Sequence, residues 1–138
     1  MMSNMSGATY ERALVRELYD RGFGALRLPS SGAGTDRPLP DLLIGTAERE
    51  DDWPLLVAAE IKSGKRMTLY ADGDEVAALQ DFCDRFGARP ALVARYTSQG
   101  SSTAYFFVTP SDARVTDAGN YGLPETDIQE RATWVVDG

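Results

Sequence analysis

Two carboxylates and one amine fall where a pair of apolar runs meets a polar turn. Pro40-Asp41-Leu42-Leu43-Ile44-Gly45 opens with an acid, and Leu55 to Lys65 carries Glu60 and Lys62 two positions apart. Apolar runs joined by a polar turn predict adjacent antiparallel strands. A two-residue spacing puts Glu60 and Lys62 on one face of a strand. Full charges at the end of an apolar run are costly without partners. Carboxylates are the oxygen ligands that a hard cation such as Mg²⁺ takes. A lysine beside them can orient or deprotonate a water, or balance charge building on a phosphate. The same residues also fit a plain surface ion pair between Glu60 and Lys62 on an edge strand. Lysine usage separates the two readings. The chain holds two lysines, Lys62 and Lys65, against twelve arginines. A sequence that nearly avoids lysine yet keeps one here needs an ammonium, which a planar, always-protonated guanidinium does not replace.

Several elements must position these groups. Thr9 to Arg21 reads as a helix capped by Thr9 and stopped by Gly22. Its apolar stripe is Leu14, Val15, Leu18 and Tyr19, and Glu11 shares that inward face. Such a carboxylate is either a helix-dipole partner or a further ligand of the cation site. Arg12 and Arg16 lie on the other side, toward phosphate or solvent. Phe23 to Leu28 is a short strand. Pro29 to Pro40 is a loop of glycines, prolines and hydroxyls. It is either a connector or a place where Ser30, Ser31 and backbone amides meet phosphate oxygens. Thr46 to Pro54 is an acidic turn. Met67 to Ala71 follows the site and contains Tyr70. Asp72 caps a helix through Phe86, with Glu75 completing a capping box and Gly87 as the stop. Val76, Leu79, Phe82, Cys83 and Phe86 share one side of it. That side is core, and Phe82 and Phe86 also suit a self-complementary dimer contact. Ala91–Tyr96 and Thr103–Val108 are strands around a polar turn. A short helix is expected near Asp127 to Thr133, and Trp134-Val135-Val136 docks on the body. The order gives an α/β fold with a mixed five-stranded sheet flanked by helices. Residues 1–138 read as a single domain, with 1–7 a frayed leader and 112–138 a C-terminal extension.

Composition narrows the chemistry. No histidine is present, which excludes Ser-His nucleophiles, His-metal sites and His general bases. One cysteine, Cys83, excludes an internal disulfide and reads as a packed thiol. No apolar run approaches the ~20 residues that span a bilayer, and no signal peptide is evident. The location expected is cytoplasmic, with no membrane partner. Net charge is −7, distributed as +1 over residues 1–40, −2 over 41–66 and −6 over 67–138. An acidic surface with scarce lysine fits a high-salt cytosol, in which attraction to phosphate is screened.

In this order and spacing the chain resembles the PD-(D/E)xK nucleases, and more narrowly the archaeal Holliday-junction resolvases. The marks are Tyr10-Glu11-Arg12, Arg21-Gly22-Phe23, Ser31-Gly32 ahead of Pro40-Asp41, and Glu60-Ile61-Lys62-Ser63. Leu69-Tyr70, Asp81 to Gly87 and Gly119-Asn120-Tyr121 continue the series. The resemblance covers roughly Tyr10 to Tyr121. It implies a restriction-endonuclease-like fold and a homodimeric endonuclease that resolves four-way junctions by paired nicks. Mg²⁺ would be the cofactor, Mn²⁺ a substitute, and no small-molecule cofactor is implied. By position, Glu11, Asp41 and Glu60 are the acidic metal residues, Lys62 the catalytic lysine and Ser31 a loop serine near the scissile phosphate. Arg12, Arg27, Ser30, Arg37, Lys65 and Arg66 fall where DNA would be met. The family is typically basic, whereas the loop around Ser31 has only Arg37, a departure that fits a halophilic source. A duplex or flap nickase on the same fold, or a DNA-binding protein on it that no longer cuts, are the other readings.

Overall fold

The hydrophobic pattern resolves into one long central strand with a helix on each face. The computed structural model describes residues 7–29, 38–46 and 56–138. Helix α1 (Gly7–Asp20) leads into β1 (Gly24–Arg27), β2 (Leu42–Gly45) and β3 (Leu56–Gly64). Then come β4 (Thr68–Ala71), α2 (Gly73–Phe86), β5 (Arg89–Tyr96) and β6 (Tyr105–Val108). A 3-10 turn at Pro110–Asp112 precedes β7 (Arg114–Val115), β8 (Tyr121–Pro124), α3 (Glu125–Arg131) and β9 (Trp134–Val136).

The main sheet has six strands, in the order β1-β2-β3-β5-β6-β9. Five were expected. The sixth is Trp134–Val136, which does more than dock: it pairs antiparallel with β6. Its Trp134 ring packs between Phe23 and Phe107, at centroid distances of 5.1 and 4.8 Å. A three-residue strand leaves too short an alternation to be told from a tail. A second sheet, β4-β8-β7, is formed by segments that carried no strand signal. The sheet is mixed, as expected. The β2–β3 pair is antiparallel, with Leu42 opposite Ala59, and β3 runs parallel to β5, with Glu60 beside Leu92. The connection between those parallel strands is α2, the crossover that parallel pairing requires.

Two apolar layers lie on opposite faces of this sheet. One gathers α1 residues Tyr10, Leu14 and Leu18 over Ala59, Ile61 and Val93. The other gathers α2 residues Val76, Leu79 and Cys83 over Ala58, Leu92 and Ala94. Because β3 is covered on both faces, it reads as a nearly continuous apolar run. Two details of α1 differ from expectation, and its stop at Gly22 does not. The helix already includes Gly7, so Thr9 lies within it and does not cap it. Tyr19 is exposed, and Tyr10 takes the buried place in the stripe, its carbonyl accepting from the Tyr105 hydroxyl at 3.1 Å. Gly22 stops the helix with φ 94°. Helix α2 follows the sequence closely. Its capping box is complete, and Gly87 ends it in the left-handed region. The Cys83 thiol is buried beneath α2, and burial pushes its pKa up to about 11.

Candidate active site at the β2–β3 sheet end

Asp41 is fixed by the strand that follows it in space. Its backbone N–H donates to the Ala59 carbonyl at 2.9 Å, and its own carbonyl accepts from Leu28 N–H at 3.0 Å. Its side-chain Oδ2 accepts from the Ile61 N–H at 2.8 Å. The carboxylate is thereby tied to the backbone beside Glu60, at the start of β2. Glu60 lies on β3 with only 8 % of its surface exposed. The two carboxyls lie close together, near enough for the Asp41 charge to raise Glu60.

Burial raises both acids. Glu60 is pushed up to about 8, first by desolvation and then by the adjacent Asp41 and Glu75 charges. Asp41 is raised by desolvation, with the Ile61 amide and the Lys62 ammonium working in the opposite direction. Lys62 sits on the same face of β3 as Glu60, close enough for its charge to lower both acids. Its Nζ donates to Glu75 Oε1 at 2.8 Å. The surface-pair reading of Glu60 and Lys62 therefore fails: β3 is central in the sheet, and the partner of Lys62 is Glu75 on α2.

Glu11 reaches the site from α1. Its Oε1 accepts from Arg27 Nε at 3.1 Å. Desolvation, followed by the Asp41 charge, raises its pKa, and Arg27 and Arg12 oppose that rise. Glu11, Arg27, Asp41, Glu60 and Glu75 line one cavity of about 820 Å³, closed on other sides by Leu28, Pro29 and Pro38 to Pro40. Arg12, Lys65 and Arg66 are exposed, the last two in the turn that follows β3. Ser30, Ser31 and Arg37 lie outside the described residues, as does most of the acidic turn before β3. Phe82 and Phe86 stack on α2 with centroids 4.2 Å apart, and Phe86 is 59 % exposed.

The donor set suits a hard divalent cation. Two carboxyls crowded together in a largely desolvated site are relieved when a cation joins them, and both line the cavity. Among the described residues no three Asp, Glu, Cys or His side chains form a ready-made cage, and Glu11 is engaged by Arg27. A cation held by two carboxylates keeps waters or phosphate oxygens for its remaining positions, which is how Mg²⁺ is usually bound. Sequence reasoning assigned Glu75 to the helix cap alone. Its second contact, with Lys62, depends on how α2 crosses β3, and no spacing rule reports that.

Similar proteins carry the same fold. The solved structure of the Archaeoglobus fulgidus Hjc, a Holliday junction resolvase from an archaeal hyperthermophile, matches with a TM-score of 0.73 at 27 % identity. The match covers 90 % of this chain and 93 % of that one. By sequence, the crossover junction endodeoxyribonuclease Hjc of A. fulgidus is 37 % identical over 82 residues, which is 59 % of this chain and 55 % of that protein. The protein of the same name from Sulfolobus acidocaldarius is 27 % identical over 122 residues, 88 % of this chain and 78 % of that one. The family model described as archaeal Holliday junction resolvase (Hjc) matches residues 2–133. Fold and nearly the whole length of the sequence agree: this chain belongs to the archaeal Holliday junction resolvase family.

Proposed function

We propose that this protein is a metal-dependent endonuclease that resolves four-way DNA junctions, with Mg²⁺ as the working ion and Mn²⁺ as a substitute. The observation that carries this reading is the close pair of the buried Glu60 and the half-buried Asp41, with Lys62 beside Glu60 on the same face of β3. Asp41 and Glu60 would hold the cation, whose chemistry is to polarise a phosphate oxygen and lower the pKa of a water. Lys62 orients the attacking water or offsets the negative charge that gathers on the phosphate in the transition state. Glu11, held by Arg27 at the cavity wall, supports the site from outside the carboxyl pair. Arg12, Arg27, Lys65 and Arg66, with Ser30, Ser31 and Arg37 from the preceding loop, take the DNA backbone.

A four-way junction is symmetric and offers two scissile strands. A homodimer joined through Phe82 and Phe86 would set two such sites on opposite strands, so that branched shape rather than base sequence is recognised. The acidic surface matches work in a high-salt cytoplasm. Labelled four-way junction and linear duplex, incubated with Mg²⁺ across a salt series, test the reading. Cleavage of the junction alone is expected. The Lys62→Ala variant should lose cleavage by about 10³-fold or more while still binding the junction. Mg²⁺-dependent nicking that survives in that variant would retire the assignment of Lys62.

A further inference from the structure

We propose that Glu75 is a positioning residue that holds the Lys62 ammonium ready for reaction and keeps it off the Asp41–Glu60 pair. The inference rests on the role of Lys62 given above. Glu75 Oε1 accepts two hydrogen bonds, from Lys62 Nζ at 2.8 Å and from the Asp72 backbone N–H at 3.1 Å. One oxygen therefore joins the lysine to the first turn of α2. That turn is itself fixed. Gly73 N–H donates to Asn120 Oδ1 at 3.1 Å. Asn120 N–H in turn donates to Thr116 Oγ1 at 3.1 Å.

A lysine is a compact charge on a long flexible stem and goes to the strongest nearby anion. Around Lys62 those anions are Glu75, Asp41 and Glu60, since its charge is felt by both buried acids. Without Glu75 the ammonium would settle onto the carboxyl pair and compete there with a cation. With Glu75 it is held at the start of α2, beside the two acids. Glu75 touches no reacting atom in this arrangement and acts only through Lys62.

The test compares Glu75→Ala, Glu75→Gln and Asp72→Ala in the full chain. Asp72→Ala weakens the same helix start but leaves Glu75 in place. With Mg²⁺ and four-way junction, Glu75→Ala should lower kcat by about 10- to 100-fold, as misplacement of a reacting group does, with KM within about twofold. Glu75→Gln keeps the accepting oxygen and should recover to within about threefold. Asp72→Ala should cleave at the parent rate. A second measurement needs no cleavage. In Mg²⁺-free protein, acylation of Lys62 relative to Lys65, read by mass spectrometry, should fall at least about threefold in Glu75→Ala, as the amine settles onto the carboxyl pair, and stay level in Asp72→Ala. Parent-like kcat in Glu75→Ala overturns the proposal. An equal loss in Asp72→Ala also overturns it, because Glu75 would then be a helix cap and nothing more. Survival of cleavage in Lys62→Ala would instead strike the functional reading, and the acylation ratio would still report on the Glu75–Lys62 pair by itself.

Discussion

Replacing Glu60 by Gln should make the metal-free protein more stable at alkaline pH while removing its response to Mg²⁺. Glu60 is almost fully buried beside the Asp41 carboxylate. Its carboxyl is displaced from 4.5 to about 8 in the folded chain. The folded state thus holds a proton that the unfolded state has released between those two pH values. Stability from this group is fully present below pH 4.5 and is lost as pH rises toward 8. Taken whole, such a displacement sets a ceiling of about 5 kcal/mol. Asp41 carries part of that cost, since its own carboxyl is also raised, so about 2 to 3 kcal/mol is the expected loss on ionisation. Gln has the same shape as the protonated acid and never ionises. In EDTA at pH 9, Glu60→Gln should melt above the parent by roughly 6 to 9 °C, at roughly 3 °C per kcal/mol for a chain of this size. At pH 4 the two should coincide. Mg²⁺ should raise the parent melting temperature at pH 8, by about 2.7 kcal/mol when the ion is at 100 times its Kd, and leave the variant unmoved. Scanning calorimetry across pH reads all of this. A variant that melts below the parent at pH 9 without metal would show that the two acids are not forced together, and the cation argument would lose its basis.

Two further substitutions probe the frame and the assembly. Gly73→Ala places a methyl group against the Gly119 carbonyl oxygen, with no flexible side chain to yield. It should cost about 1 to 3 kcal/mol in urea unfolding and loosen the start of α2, and a midpoint unchanged from the parent would contradict the close approach. Phe86→Glu puts a charge on the exposed end of the Phe82–Phe86 stack. Sedimentation should then show a monomer with unchanged circular dichroism, and a parent-like mass would remove these two rings from the dimer contact.

The legible part of the structure was whatever had a short-range signature. The capping box at Asp72 and Glu75 and the stop at Gly87 depend on residues three or four apart, and they are as expected. The antiparallel β2–β3 pair followed from two apolar runs around a turn. The shared face of Glu60 and Lys62 followed from strand alternation, and Asp41 joins them because it heads the neighbouring strand. Long-range placement was not legible. Trp134–Val136 became an edge strand because Phe107 and Phe23 offered an aromatic surface. Thr68–Ala71 found Tyr121–Pro124 more than fifty residues away and built a second sheet. The Lys62–Glu75 contact likewise depends on the angle at which α2 crosses the sheet, and the Glu11–Arg27 pair on how α1 meets β1.

The hydrogen bond from Gly73 to Asn120 bears on the order of events during synthesis. A nascent chain that has emerged as far as Asp117 already contains Glu11, Asp41, Glu60, Lys62 and Glu75. It lacks the asparagine that pins the first turn of α2 and the strand that closes the sheet at β6. The first turn of α2, which carries Glu75, therefore gains its outside anchor only after residue 120 has emerged, long after the two acids and Lys62 are in place in the chain.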